Sequence, residues 1–381
     1  MRMDPEAYNE NSRIPPVVVL LGPSRAAVSG VSTHLNQLFG SRLGISVTMR
    51  HFQVGSEGRT KPTWGGVVWR LIASPIALAQ ILKANRYGIV HINTSLNAKS
   101  FWRDLLYLIV ARGMGWKVIY QVHGGFLPAV FCNGDIVLKA VLRKALSMPD
   151  VVVLLAQEEL QAYRQFVPKT NQVVIPNAID ESELVSGCTS KSFSGLMRLL
   201  YLGRIVRTKG VFETVEAVRL LLSEGHDISL TIAGAGPDEH ELRRTIRHAG
   251  LEARISLTAP VFGKNKGALL REAHIFSFPT YHPEGLPYAL LECMAAGVVP
   301  VTTRVGAISD AVAHGQHGIF VKPHDPRGLA DAIAELDTDR QTLASMASAA
   351  SHRVSSLYTV ERLARDFEGL YMDLIARRER E

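Results

Sequence analysis

Short apolar runs of strand length alternate with longer stretches of helical period along most of this 381-residue chain, and the alternation occurs twice. The first series places strands at Val17–Leu21, Ile45–Phe52, Gly88–Asn93, Lys117–Val122, Val151–Leu155 and Gln172–Ile175. A Ser- and Gly-rich stretch, SGCTSKSFSG at Ser186–Gly195, reads as a break. The second series runs through Arg198–Leu202, Ile228–Ala233, Arg254–Leu257, Ile275–Phe278, Val299–Thr302 and Gly318–Val321. Strands alternating with helices mean βαβ units and parallel sheets, and a chain this long exceeds one ordinary core. The fold class expected is α/β, with two Rossmann-like doubly wound domains in tandem. Such domains bind ligands beyond the carboxyl ends of their strands, so two facing edges make one central cleft. The domains expected are 16–180 and 181–359. A last helical stretch, 360–381, is able to pack across either domain and is counted with the first.

Composition removes several alternatives. Hydrophobic residues are 47% and charged residues 20%, ordinary for a globular chain. The three cysteines, Cys132, Cys188 and Cys293, are odd in number and widely spaced, which suits neither a disulfide framework nor a metal cluster. The polar stretch 1–15 has no apolar segment of signal-peptide type and is expected to be disordered. Trp64–Leu82, interrupted by Arg70, reads as a core or interfacial helix rather than a membrane span. Charge is uneven: residues 1–180 hold 19 Lys and Arg against 10 Asp and Glu, while 181–381 hold 23 against 25. The excess positive charge therefore belongs to the first half, which suits an anionic partner such as a membrane surface or lipid diphosphate. No recognised nucleic-acid module occurs, so no nucleic-acid partner is expected.

Two carboxylates stand out in YHPEGLPYALLECMAAGVVP, residues 281–300. Pro287 suits a helix start and Gly297 its end, so a helix is expected over Leu286–Ala296. Glu284 then precedes the helix, and Glu292 lies inside it among Leu290, Leu291, Cys293 and Met294. The residues three and four positions from Glu292 include no cation, and a carboxylate in apolar surroundings needs partners. Either it faces a cleft and accepts from a polar ligand, such as a pair of ribose hydroxyls, or a distant Lys or Arg reaches it. The plain alternatives are an exposed helix face for Glu292 and a helix N-terminal acid for Glu284.

A cationic loop adds to the pattern. In LLYLGRIVRTKG, residues 199–210, a strand ends at Gly203, Arg204 and Lys209 follow, and a helix begins. Two cations and a helix N-terminus at a strand's carboxyl end form an anion site, with Arg suited to bidentate phosphate contacts and Lys to a point charge. Arg207 reads as a solvated surface cation.

With these motifs in order, the sequence resembles the family 4 (group 1) retaining glycosyltransferases of the GT-B fold. The resemblance extends to IAGAGP (232–237), VIPNAID (174–180), HGIFVKPHDP (317–326), SGVSTHLNQL (29–38) and VHGG (122–125). It implies a nucleotide-sugar donor, UDP- or GDP-linked, used as a substrate with no further cofactor. Arg204 and Lys209 would neutralise the donor diphosphate, Glu284 would contact the transferred sugar, and Glu292 would take the ribose hydroxyls. Ser29 and Gly30 would press backbone amides towards the diphosphate. Gly203, Gly234, Gly285 and Leu286 would line the donor, and Val261, within Ala259–Phe262, would border the base. His123 would sit beside the reacting sugar, with a structural histidine as the alternative. The chain departs from the family where Ser29-Gly30 replaces Gly-Gly and where Asp310 stands in place of a glutamate.

The chemistry implied is transfer of a hexose with retention by a front-face route, in which the leaving diphosphate accepts the acceptor's proton and cations stabilise its charge. This route needs no metal. The Asp337-Thr338-Asp339 sequence lies between helical stretches and reads as a helix cap. The acceptor expected is lipid-linked or a polysaccharide, in cell-surface glycan biosynthesis, with the protein cytoplasmic or peripheral on the inner membrane face. Lys99 and Arg103, Lys139 and Arg143, and neighbouring Phe101 and Trp102 form either a basic membrane-facing surface or a solvated one. The stretches Gln53–Gly66 and Gly124–Gly134 are expected to shape the acceptor site. Two other readings stay open: a GT-B sugar-nucleotide epimerase, and a non-catalytic partner subunit, towards which only Ser29 points.

Overall fold

The computed structural model describes residues 15–55, 64–85, 87–180 and 191–378, apart from the side chains of 64–71. Most of the polar N-terminal stretch and residues 186–190 of the Ser- and Gly-rich break fall outside these limits.

Among the described residues, twelve strands form two six-stranded sheets. The first holds β1 (Val17–Gly22), β2 (Thr48–Gln53), β3 (Gly88–Leu96), β4 (Lys117–Gly125), β5 (Val151–Leu154) and β6 (Gln172–Val174), all pairing in parallel in the order β2-β1-β3-β4-β5-β6. The second holds β7 (Met197–Leu202), β8 (Ile228–Ala233), β9 (Ile255–Thr258), β10 (Ile275–Phe278), β11 (Val299–Thr302) and β12 (Ile319–Phe320), also parallel, in the order β12-β11-β10-β7-β8-β9. Strands such as β5, β10 and β11 are buried at every position, as helices on both faces require. The edge strand β2 alternates between exposed and partly buried positions instead.

The strand order fixes where a ligand can sit. It reverses between β1 and β3 in the first sheet and between β7 and β10 in the second. The segments leaving neighbouring strands at these points diverge to opposite faces and open a crevice. The crevice of the second sheet lies between the loop after β7 and the loop after β10, which carry the cationic cluster and Glu284.

The helix Val360–Arg378 belongs to the packing of the first sheet. Its Leu363, Ala364, Phe367, Tyr371 and Leu374 lie at helical spacing and are buried with Val18, Leu20, Ile89, Ile119 and Val153. A separate core joins the second sheet to its helices. Among the described residues no helix is long and apolar enough to cross a membrane. The Trp64–Lys83 stretch is one helix with Pro75 inside it.

One element differs from expectation. The run 45–52 is not a single strand: a short helix, Leu43–Ser46, precedes β2. Leu43 is fully buried in the core beneath the Val360–Arg378 helix, and one helical turn carries the chain from there to the sheet edge. Short apolar runs do not distinguish these two states.

Candidate active site

The cationic loop is shaped by close backbone approach. A Cβ at Gly234 would stand 1.9 Å from the Gly203 carbonyl oxygen, so β8's exit can lie against β7's exit only as glycine. Gly210 has φ +77° and packs on the Pro279 carbonyl, again with no space for a side chain. The loop thereby brings Lys209 beside Glu284: Nζ lies 3.0 Å from Oε1, with the carboxylate side chain only 10% exposed. Thr280 also donates its hydroxyl to Glu284 Oε1 at 3.2 Å. Arg204 stays exposed at the rim, while its carbonyl accepts from the Tyr201 hydroxyl at 2.9 Å. Arg207 pairs with Glu241 on the surface, 2.6 Å away, matching its reading as a surface cation.

The helix after Glu284 runs over Tyr288–Ala295, with Pro287 at its N-cap and Gly297 at φ +64° beyond its end. Glu292 is neither exposed nor empty-handed: Lys266 Nζ lies 2.6 Å from its Oε1. Of the two alternatives for Glu292, the structure shows a distant cation. Lys266 stands in the helix Gly263–Glu272, directly after Val261 and Phe262, so the carboxylate and that loop share one end of the crevice. Val261 packs partly buried against the core, and Phe262 is exposed.

The first domain faces this crevice closely. Gly124 has φ +91°, and a Cβ on it would come within 2.4 Å of the Gly285 nitrogen. The Leu286 carbonyl accepts from Asn177 Nδ2 at 2.7 Å, and the Tyr288 hydroxyl donates to Gln37 Oε1 at 3.3 Å. A Cβ at Gly30 would rest 3.4 Å from the Tyr288 ring. Gly30 opens the helix Gly30–Gly40, which is capped by Ser29: its hydroxyl oxygen accepts from the Ser32 amide at 3.1 Å, and its φ of −155° is ordinary for serine. The departure from Gly-Gly is therefore compatible with the local backbone, and the serine gains a capping function.

His123 lies at the end of β4, partly buried. Its Nε2 is 2.8 Å from Asn93 Oδ1, and its ring packs edge-on against His34 with centroids 4.7 Å apart. Burial, and then the neighbouring His91, push its pKa down to about 3, so the imidazole is neutral at ordinary pH. Asp310, the shortened acid, reaches across to the first domain, where its Oδ2 accepts from the Gln157 amide at 2.6 Å.

Several expected site residues thus converge. Lys209, Glu284 and Gly285 meet at one point, with Gly30 and the His123–Gly124 turn facing from the other domain. Arg204 is at the rim, and Glu292 with Val261 lies further along. Lys266, Thr280 and Asn93 were not anticipated. Lys266 and Thr280 sit far in sequence from, or on a loop turned back towards, the groups they touch. Asn93 carried a readable signal, a polar residue inside the apolar strand run HIN. Asp339 caps the helix Arg340–Leu357 by accepting from the Thr342 amide at 2.9 Å. Of the basic pairs, Arg103 does not form an outer surface: Nε and Nη2 bind the buried Asp104 at 2.6 and 2.8 Å.

The chain matches known proteins in both of its halves. The model described as Glycosyl transferases group 1 matches residues 190–353, and Glycosyltransferase Family 4 matches residues 41–183. The D-inositol 3-phosphate glycosyltransferase of Pseudarthrobacter chlorophenolicus is 34% identical over 42% of this chain, a match spanning only 39% of that relative. The GDP-mannose:cellobiosyl-diphosphopolyprenol alpha-mannosyltransferase of Xanthomonas oryzae is 24% identical over 72% of each chain. In structure, Anabaena Alr3699/HepE in complex with UDP-glucose superimposes with a TM-score of 0.74, covering 94% of this chain and 99% of the other at 16% identity. The two family models together take in every strand from β2 to β12, and the chain belongs to the group 1 and family 4 glycosyltransferases of the GT-B fold.

Proposed function

We propose that this protein is a retaining hexosyltransferase, moving a hexose from a nucleotide-sugar donor to a lipid-linked or polysaccharide acceptor in glycan biosynthesis. The observation that carries the reading is the Lys209–Glu284 pair at the strand-order reversal of the second sheet, next to Gly285, whose backbone meets Gly124 of the first sheet too closely for a Cβ there. A nucleoside diphosphate with its sugar fits that arrangement. Arg204 and Lys209 meet the diphosphate, with the loop's helix N-terminus adding amide donors. Glu284, freed from part of its pairing with Lys209 when the phosphates arrive, accepts from hydroxyls of the sugar. Glu292, held in place by Lys266, accepts from the ribose.

The reaction favoured is a front-face displacement. The bond from the anomeric carbon to the diphosphate oxygen breaks, the acceptor hydroxyl adds on the same face, and its proton passes to the leaving diphosphate. Arg204 and Lys209 stabilise the charge that develops there, and they do so without a metal ion. HepE, with UDP-glucose, supports the donor class, and the Xanthomonas enzyme, acting on a diphosphopolyprenol, supports a lipid-linked acceptor.

A contact with an anionic membrane follows the charge excess of residues 1–180. It is supported by an apolar stripe on one helix of that half: Trp102, Leu106 and Ile109 are all exposed, with Ile72 and Ile76 exposed on the helix packed beside it. The reading is of a protein peripheral on the inner face of the cytoplasmic membrane, and sedimentation with vesicles of anionic against zwitterionic lipid tests it.

Thermal unfolding with UDP, GDP and ADP tests the donor site. A ligand at 100 times its Kd stabilises the fold by about 2.7 kcal/mol. One of the three is expected to raise the midpoint, and Arg204→Ala to abolish the rise. No shift with any of them removes the donor reading. Transfer that depends on an acceptor then separates a transferase from an epimerase, which would release the nucleotide with none present.

A further inference from the structure

We infer that Asn93 is a positioning residue for the transfer reaction: it locks His123 in the tautomer that carries its proton on Nε2 and presents Nδ1 as a hydrogen-bond acceptor for a hydroxyl of the donor sugar. The sugar's part in this rests on the proposed transferase reading. The tautomer itself does not.

The argument starts from the amide. Asn93 is buried, 2% exposed, near the carboxyl end of β3. Its Nδ2 donates to the Leu21 carbonyl of β1 at 3.0 Å. A carbonyl oxygen can only accept, so the amide's nitrogen is fixed on that side and its oxygen on the other. That oxygen, Oδ1, lies 2.8 Å from His123 Nε2. It too can only accept, so the imidazole must donate, and Nε2 carries the hydrogen. In a neutral imidazole the remaining nitrogen, Nδ1, is then an acceptor.

The surroundings keep the ring neutral and in place. His34, fully buried, packs edge-on against it, and beyond His34 lies Phe367. His91, also fully buried, approaches Gln121 Oε1 through Nε2 and the Tyr371 hydroxyl through Nδ1, each at 2.9 Å. The elements packed around His123 thus contribute two further histidines, His34 and His91, and among the described residues no carboxylate is hydrogen-bonded to its ring. His123 stands at the crevice: a Cβ on Gly285, the residue after Glu284, would come within 3.0 Å of its carbonyl oxygen, and the residue is only partly buried. The lock is attached to the strand-order reversal of the first sheet, because Leu21 and Asn93 sit on β1 and β3. A neutral acceptor takes a hydroxyl donor. It does not take a phosphate, and it is not a general acid near neutral pH.

The test reads the tautomer directly. Protein with 15N-labelled histidine is examined by long-range 1H–15N correlation at pH 7.5, with His123→Gln assigning the signal. The wild type is expected to show protonated Nε2 and unprotonated Nδ1, and a protonated Nδ1 overturns the inference before any variant is made. Asn93→Ala is expected to give a mixture of tautomers, whereas an unchanged signal in folded protein means that Asn93 only supports the strands. Asn93→Asp keeps an acceptor at Nε2 and should restore that tautomer while giving the activity profile a new ionisation near neutral pH. With the nucleoside diphosphate found in the thermal panel, Asn93→Ala should leave the Kd unchanged and lower kcat/KM for the corresponding nucleotide-sugar about tenfold, the worth of one hydrogen bond. An equal loss for both ligands overturns the sugar contact. Absence of any nucleotide binding by the wild type removes the transferase reading and leaves the tautomer result standing on the spectra.

Discussion

Lys209 Nζ and Glu284 Oε1 lie 3.0 Å apart across the point where the strand order of the second sheet reverses, one residue following β7 and the other following β10. Without a ligand, each pairs with the other, and the diphosphate we propose would compete with the carboxylate for the lysine. Removing the two partners should therefore have opposite effects on nucleotide binding. Lys209→Ala is expected to lower turnover by about 10²–10³, the scale for losing a group aimed at developing charge. Glu284→Gln should lower turnover too, yet leave the nucleoside diphosphate bound as tightly or more tightly. Titration calorimetry beside a transfer assay decides this, and parallel loss of binding in both variants would count against the assignment.

Glu292 is the residue assigned to the ribose, held by Lys266 at 2.6 Å. From the proposed ribose contact, Glu292→Ala is expected to narrow the difference in affinity between a nucleoside diphosphate and its 2′-deoxy form. The charge-assisted contact at stake amounts to about 1.5–3 kcal/mol. An unchanged ratio in competition binding would show that Glu292 serves only its ion pair.

Gly124 combines φ +91° with a Cβ direction that runs into the Gly285 backbone of the other domain. Gly124→Ala carries the left-handed penalty of roughly 1–2 kcal/mol and also pushes the two domains apart. The expected result is a lower unfolding midpoint with a larger proportional loss of activity. Retained activity in a destabilised but folded variant would mean that the close approach is not needed for turnover.

Buried histidines set the response to acid. Burial, the first cause for each, lowers His91 and His274 to about 4 and His123 to about 3, against an ordinary value of 6.5. The unfolded chain binds these protons first as the pH drops, so their contribution is fully present above about 6.5 and is lost as the pH falls towards 4 and then 3. Glu159 acts in the opposite sense. Burial raises it to about 7, so its contribution is present below about 4.5 and is lost as the pH rises through 7. Three histidines outweigh one carboxyl between pH 6.5 and 4.5, and stability should decline across that range. Denaturant unfolding at pH 7.5, 6 and 5 measures it, and a flat or rising series would contradict the neutral histidine cluster.

Much of this architecture is present in local pattern. Apolar runs at strand spacing, separated by helical periods, are enough for two parallel α/β domains, because burial on both sheet faces demands them. The positions of Gly203, Lys209, Glu284 and Glu292 are also readable, since a cation or carboxylate next to a strand end or inside an apolar helix departs from that pattern. The line between Leu43–Ser46 and β2 was not readable, because four apolar-rich residues suit a helical turn as well as a strand.

What the chain order alone determined was which side chains stand at the ends of strands, a property of spacing along the backbone. The partners were decided only in three dimensions. Lys266 meets Glu292 across 26 positions, Asn93 meets His123 across 30, and Tyr371 reaches His91 across 280. Each pairing depends on strand order and helix packing, and burial then makes it binding, because a polar group removed from water must find its hydrogen bond wherever the fold has placed one.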